Sequence, residues 1–258
     1  MLGHTGSIHG LRFVSDKTAV SASADTLLKV WNLEAGVCEG TLSGHCGKIS
    51  DVAVTGDHAV SVDFLGAVKV WCVSEQRLVH TLSGHTGYVC RVVCDGRRIF
   101  TGGSDAMILV WDLSTGELLA TLEGHASTVC QISPQLEAGT LVTGCAGGML
   151  ILWSLHDYSV LHTISRSHDG SVLSLDARDG VILTAGSEGT VKLWDLNTGT
   201  LVGSLEPGTQ VAWAVSLGRA KNKTAITVSA QGHSPFPQTD GRYLDVSRSC
   251  GRLCGTQY

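Results

Sequence analysis

Residues 84–113 read GHTGYVCRVVCDGRRIFTGGSDAMILVWDL. A Gly-His pair opens the stretch, three short β-rich runs follow, and a Trp-Asp pair closes the third. YVCRVVC alternates before a turn at Asp95-Gly96, and RRIFTG forms the next run. MILVWDL is apolar on both faces, which places it in the interior of its sheet. After the Ser114-Thr115-Gly116 turn, ELLATL supplies a fourth strand. The apolar period is 2 and β-branched residues dominate, so a helical reading fails. The same layout runs from Gly3-His4 to Trp31-Asn32, from Gly44-His45 to Trp71-Cys72 and from Gly124-His125 to Trp153-Ser154. With Ser167 in place of the Gly, it runs again from His168 to Trp194-Asp195. The five Trp residues stand 40, 40, 42 and 41 positions apart.

A period near 40 with these ends marks small four-stranded sheets arranged radially. Over residues 3–205 the chain resembles WD-repeat proteins, and the resemblance implies an all-β fold, a β-propeller of WD repeats. Five four-stranded blades are expected at about 3–42, 44–82, 84–122, 124–164 and 167–205. A partial sixth is expected at 208–230, where QVAWAV and TAITV read as two strands and no third strand ending in Trp follows. The propeller domain thus spans 1–230. Residues 231–258 lose the alternation and are expected to form an irregular or disordered tail, with Tyr243-Leu244-Asp245-Val246 as its one strand-like run. In the family, residues before the first Gly-His supply the outer strand of the last blade, and here Met1 and Leu2 precede Gly3. The expectation is an incomplete ring in a truncated form of a longer protein. A compact six-bladed ring sealed by the tail is the alternative.

Apolar residues make up 43% of the 258 and charged residues 16%, which suits a largely buried β structure. The 32 glycines against 4 prolines fit many tight turns and exclude a Pro-rich linker. A formal charge of −5 is too small to argue for nucleic acid. Nine cysteines are odd in number and lack disulfide framing, and MLGHTGSIHG lacks the basic and apolar regions of a secretory leader. No apolar run approaches the roughly 18 residues of a membrane span. Free thiols in the cytoplasm or nucleus are expected, with no secretion and no membrane insertion.

Ten residues before each Trp stand Ser21, Ser61, Thr101, Thr143 and Thr184, and six before stand Asp25, Leu65, Asp105, Gly147 and Glu188. The resemblance implies a hydrogen-bonded chain from acid to His to hydroxyl to indole. Its members would be His4, Ser21, Asp25 and Trp31 in the first repeat, and His85, Thr101, Asp105 and Trp111 in the third. The fifth repeat has His168, Thr184 and Trp194 with Glu188, which reaches further and is expected to strain the turn. His45, Ser61 and Trp71 in the second repeat, and His125, Thr143 and Trp153 in the fourth, lack the acid, so these blades are expected to be looser. Asp63 lies two places from the expected position, and a shifted turn would bring it in.

Ser, His and Asp are also triad residues, but their recurrence in every repeat argues for structure over catalysis. No phosphate loop, HExxH or CxxC occurs, so the chain is expected to be no enzyme and to hold no cofactor and no metal. Cys90 and Cys94 read as packing, and no nearby His or Cys completes a metal set around Cys250 and Cys254. Arg97-Arg98 and the Arg219, Lys221, Lys223 group are basic clusters without aromatic neighbours, which disfavours nucleic acid.

The resemblance further implies peptide binding on the face that carries the Gly-His loops and the turns between second and third strands. Positions three and five past each His, and the residue before the acid position, would line it. They read Ser7, His9, Ala24; Lys48, Ser50, Phe64; Tyr88, Cys90, Ser104; Thr128, Cys130, Ala146; and Ser171, Leu173, Ser187. His9, Lys48, Phe64 and Tyr88 are the candidate partner-binding residues, since aromatic groups dominate interface energetics. None of the fifteen is Arg, which disfavours phosphopeptide capture, and no Arg stands three places after a Trp. The expected function is a non-catalytic scaffold that binds protein or peptide partners within a multiprotein complex. The alternative is a truncated sensor or substrate-recognition propeller of a larger protein, a NACHT-type ATPase or a ubiquitin-ligase receptor.

Overall fold

The structure, a computed structural model, describes residues 3–205, 212–220 and 223–230. Among these residues there is no helix. Five antiparallel four-stranded sheets follow one another along the chain, each in sequential strand order. The first holds β1 (Ile8–Phe13), β2 (Thr18–Ser23), β3 (Leu28–Asn32) and β4 (Val37–Leu42). The second holds β5 (Ile49–Thr55), β6 (His58–Asp63), β7 (Val68–Cys72) and β8 (Arg77–Leu82). The third holds β9 (Val89–Cys94), β10 (Arg98–Gly103), β11 (Ile108–Asp112) and β12 (Leu118–Leu122). The fourth is β13 (Val129–Gln135), β14 (Thr140–Cys145), β15 (Leu150–Ser154) and β16 (Val160–Ile164). The fifth is β17 (Val172–Arg178), β18 (Val181–Gly186), β19 (Val191–Asp195) and β20 (Leu201–Leu205). The chain divides into two compact units at Ile132/Ser133, inside β13.

Two irregularities recur in register. Where the first strand of a sheet pairs with the second, one residue is skipped: His9, Ser50, Cys90 and Leu173 in the first, second, third and fifth sheets. Where the third strand pairs with the fourth, the skipped residue lies in the outer strand, at Glu39, Val79, Leu119, Leu161 and Val202. Such bulges bend the strand and re-aim a side chain.

Within the second unit, β21 (Ala212–Ala220) and β22 (Lys223–Ala230) form a hairpin whose register skips Trp213, the pattern of a first and second strand. The backbone N–H of Val215 donates to Ser174 Oγ at 3.1 Å. Within the first unit, Val92 N–H donates in the same way to Asp51 Oδ2 at 3.2 Å. The tail 231–258 lies outside the described residues.

The cores lie between sheets. Val20, Ala22, Leu28, Val30 and Leu42 of the first sheet cluster with Ile49, Val52, Ala59 and Trp71 of the second. Val60, Val62, Val68 and Val70 of the second cluster with Val89, Val92, Ile99 and Trp111 of the third. In the second unit, Val142, Leu150 and Leu152 meet Val172, Leu175, Ile182 and Trp194. A lone sheet of this kind cannot bury both faces, so each depends on its neighbour. Close approach is helped by small residues: a Cβ at Gly102 would lie 2.8 Å from Val129 Cγ1.

The first strand of the first sheet differs. Ile8 is 58% exposed, whereas Ile49, at the same place in the second sheet, is 0% exposed. Ile49→Ala is therefore expected to lower unfolding free energy by about 2–5 kcal/mol. Ile8→Ala should change it by no more than about 0.5 kcal/mol. Urea denaturation of the two variants checks the contrast.

Candidate functional site

In the first, second, third and fifth sheets a histidine from the loop before the first strand reaches a hydroxyl on the second strand, which also accepts from a Trp on the third. In the first repeat the Trp31 indole N–H donates to Ser21 Oγ at 2.7 Å. Ser21 Oγ lies 2.7 Å from His4 Nε2, and His4 Nδ1 lies 2.8 Å from Asp25 Oδ2. The carboxylate can only accept, so Nδ1 carries the hydrogen and Nε2 accepts from the hydroxyl. In the third repeat the corresponding distances are 3.0 Å for Trp111 to Thr101, 2.8 Å for Thr101 to His85 and 2.8 Å for His85 to Asp105. In the fifth, Trp194 donates to Thr184 at 3.0 Å and Thr184 meets His168 Nε2 at 2.8 Å. His168 Nδ1 bonds to Glu188, which also accepts from the Thr190 hydroxyl. The longer acid fits because Gly186 carries no Cβ, which would overlap both the carboxylate and the imidazole. In the fourth repeat Trp153 donates to Thr143 at 2.9 Å. His125 is buried, and that burial pushes its pKa down to about 4.

The second repeat corrects the sequence reading. Leu65 stands at the acid position, yet His45 Nδ1 lies 2.7 Å from Asp63 Oδ2, His45 Nε2 lies 2.6 Å from Ser61 Oγ, and Trp71 donates to Ser61 at 2.8 Å. No loosening follows from Leu65. Asp63 is two residues past Ser61 on the same strand, so both side chains leave on one side. In the third repeat Gly103 holds that position, and a Cβ there would come within 2.8 Å of His85 Nδ1 and 2.7 Å of Asp105 Oδ1. The strand thus offers a second route to the point where the carboxylate is needed. Asp63 Oδ1 also accepts the N–H groups of Leu65 and Ala67, each at 2.9 Å. Asp25 Oδ1 caps its own turn likewise, from Leu27 N–H at 3.1 Å.

A second substitution in this repeat is compensated in the same manner. Asp112 and Asp195 follow their Trp and cap the next turn, accepting for example from Ser114 N–H at 2.9 Å and Thr198 N–H at 2.8 Å. Cys72 stands at that place in the second repeat, and Asp57 from the β5–β6 turn accepts from Ser74 N–H at 3.1 Å and the Cys72 thiol at 3.2 Å.

The acids are held ionised. Burial pushes Asp25 up, but the N–H of Thr5 and the bond from His4 outweigh it and bring its pKa to about 2. Burial likewise opposes Asp63, and the bonds from His45, Ala67 and Leu65 leave it below the usual carboxylate range. In the first, second, third and fifth repeats the imidazole and hydroxyl are committed to this chain, so the arrangement cross-links strands. Burial pushes the Cys90 thiol up to about 12.

The same loops build an outer rim. The residue before the acid position donates its N–H to the carbonyl of the residue three past the His: Ala24 to Ser7 at 2.8 Å, Phe64 to Lys48 at 3.0 Å and Ser104 to Tyr88 at 2.8 Å. Ser187 does so to Ser171 at 2.9 Å in the fifth repeat. Of the candidate residues, Phe64 and Tyr88 meet with ring centroids 5.8 Å apart. His9 stands edge-on to Phe64 at 6.4 Å and is held through Nδ1 by the Ile49 carbonyl at 2.7 Å. Lys48 is exposed and joined to Phe64 by the backbone bond just described.

The sequence reading missed Leu65, which is 70% exposed beside this group, and Asp51, buried in β5. Asp51 accepts Val52 N–H at 2.9 Å and Val92 N–H at 3.2 Å, with Arg12 and Arg91 each at 3.5 Å. An acid two residues after the hydroxyl would have pointed to Asp63. Nothing in the strand alternation marks Asp51.

Comparison with known families finds that the family model for the WD domain, G-beta repeat, matches residues 1–32, 76–112, 116–154 and 158–195. The longest gap between the matched stretches, 33–75, contains Leu65 and Cys72, the substitutions for which Asp63 and Asp57 compensate. Nuclear distribution protein nudF 1 of Talaromyces marneffei is 36% identical over 58 residues, 22% of this chain and 13% of that protein. Nuclear distribution protein PAC1 of Arthroderma otae is 38% identical over 61 residues, 20% of this chain and 13% of that protein. Cilia- and flagella-associated protein 44 of Mus musculus is 36% identical over 67 residues, 25% of this chain and 4% of that protein. The matches thus cover a small part of each relative's length.

Two predictions follow from the geometry. Asp63→Ala and Asp105→Ala should each destabilise by about 1–3 kcal/mol, because each strands a buried imidazole N–H. Leu65→Ala should stay within about 0.5 kcal/mol, and Asp63→Gly combined with Leu65→Asp should recover most of the loss in urea denaturation. The second concerns pH. His125 has its pKa lowered from 6.5 to about 4, so between these values the unfolded chain binds the proton and the folded chain does not. Its contribution is complete above pH 6.5 and is lost as pH falls through 4. Urea midpoints should therefore drop across that window, and His125→Gln should flatten the slope.

Proposed function

Because the chain belongs to the WD domain, G-beta repeat family, we propose that it is a non-catalytic scaffold whose loop face binds protein or peptide partners. Repeats of this family generally mediate protein–protein interaction. The observation that carries the reading here is the contiguous exposed group of His9, Phe64 and Tyr88, contributed by three successive repeats. Aromatic side chains bring large contact area at low entropic cost, and clusters of them are where interface energy concentrates. The backbone bonds beneath them fix the loops in advance, which lowers the ordering cost of binding. In four of the repeats the histidine and hydroxyl that could have supported catalysis are consumed in the internal chain, which favours a binding role. The thiols of Cys38, Cys46, Cys72, Cys90, Cys94 and Cys145 are free, which supports a place in the reducing cytoplasm or nucleus, as one component of a larger assembly.

A photo-crosslinking side chain introduced in cells at Phe64 or Tyr88, with Lys17 as a control position on a different turn, tests the reading. Discrete protein adducts from positions 64 and 88, in excess over position 17, are expected. Equal labelling at all three, or adducts to nucleic acid alone, would count against a protein-binding loop face.

A further inference from the structure

We propose that the Phe64–Leu65 turn, with Tyr88 and His9 beside it and Lys48 at its rim, seats an extended peptide segment that carries an apolar side chain next to a carboxylate. The proposal rests on the reading of the loop face as a protein-binding surface and specifies the partner's chemistry. It starts from the displaced acid. In the first and third repeats the position before the left-handed turn residue is Asp25 or Asp105, turned inward to its histidine. In the second repeat Asp63 does that work from the strand, so position 65 is released. The chain places Leu there at 70% exposure, with Phe64 at 46% and Tyr88 at 40%. An exposed Leu and Phe side by side on a turn return nothing to the core, and a contiguous apolar patch of this kind marks an interaction site.

The patch is held in shape from below. A Cβ at Gly47 would lie 2.8 Å from Leu65 Cγ, so Leu65 packs down on that loop while its outer side stays open. A Cβ at Gly66 would lie 2.8 Å from the Gly87 carbonyl, so the turn abuts the loop that carries Tyr88. Gly66 has φ of +89°, a conformation any other residue would adopt only under strain. The Phe64 and Tyr88 rings are tilted by 36° at 5.8 Å, leaving an open apolar step and no closed stack.

Charge selects the second half of the ligand. The carboxylates of Asp25, Asp63 and Asp105 are turned inward and bonded to histidine, with side chains at most 6% exposed. Across 3–9, 24–27, 44–50, 63–67, 84–90 and 103–107, Lys48 is the exposed ionised side chain, and no salt-bridge partner is found for it among the described residues. A partner's Asp or Glu would meet an uncompensated ammonium at the edge of an apolar step, while a Lys or Arg would meet repulsion.

Panning a displayed library of random peptides against the whole chain tests this. Enriched peptides should place Asp or Glu next to Leu, Ile, Phe or Trp. They should lose at least about tenfold in affinity to Phe64→Ala and Tyr88→Ala, the loss expected of a hot-spot aromatic. Lys48→Glu should reverse the selected charge, and near-UV circular dichroism of the Trp residues should be unchanged in all three variants. Peptides that need Phe64 and Tyr88 but carry no acid, or keep their charge preference with Lys48→Glu, would overturn this inference and leave the protein-binding face standing. Peptides indifferent to Phe64 and Tyr88, failure to enrich any peptide, or displacement by labelled oligothymidylate stacking on the rings would overturn both.

Discussion

A buried imidazole has two nitrogens to satisfy, and the rest of this structure follows from how that is done. With an acid at Nδ1, a hydroxyl at Nε2 and an indole donating to the hydroxyl, every polar group in the chain has a partner. One such chain runs from the loop before the first strand to the second strand, the third strand and the turn between them. It therefore fixes the twist and spacing of three strands where apolar packing alone would allow sliding. The cost of leaving one member bare is what keeps the sequence pattern strict at His, hydroxyl and Trp.

The same logic explains what could be read from residues and what could not. Trp spacing locates the third strand of each four-stranded sheet, and antiparallel register then places a hydroxyl ten positions earlier. The register is constant because two-stranded pairing has few alternatives once one face is buried. The acid is different. It needs a point in space, and that point can be reached from the turn, as Asp105 does, or from the strand, as Asp63 does. Counting along the chain cannot distinguish the two routes. Asp57 replacing the cap lost at Cys72 is the same lesson at the other end of the sheet. The proximity of Phe64 to Tyr88 was legible as shared loop positions, but their contact and the release of Leu65 depend on where Asp63 points.

The loop face and the cores divide the work between them. Cores form where one sheet's valines and leucines meet the next sheet's Trp, so packing binds neighbours together. Loops carry the histidines inward and the aromatic rings outward on the same short segments. A residue such as Phe64 is consequently placed by bonds whose first purpose is to close the sheet, and surface shape inherits the precision of the interior.

The residue skipped in every fourth strand has a consequence for how such a chain stays dispersed. Each sheet ends in a strand with a row of backbone donors and acceptors on its far side and apolar groups such as Val37, Leu78, Leu118, Val160 and Leu201 exposed along it. Repetition multiplies the danger, because a straight strand able to add to one edge could add to all five. The bulges at Glu39, Val79, Leu119, Leu161 and Val202 break the even spacing that an added strand would need. A hazard copied with every repeat is met by a defence copied with it, so the array can lengthen by duplication without growing stickier.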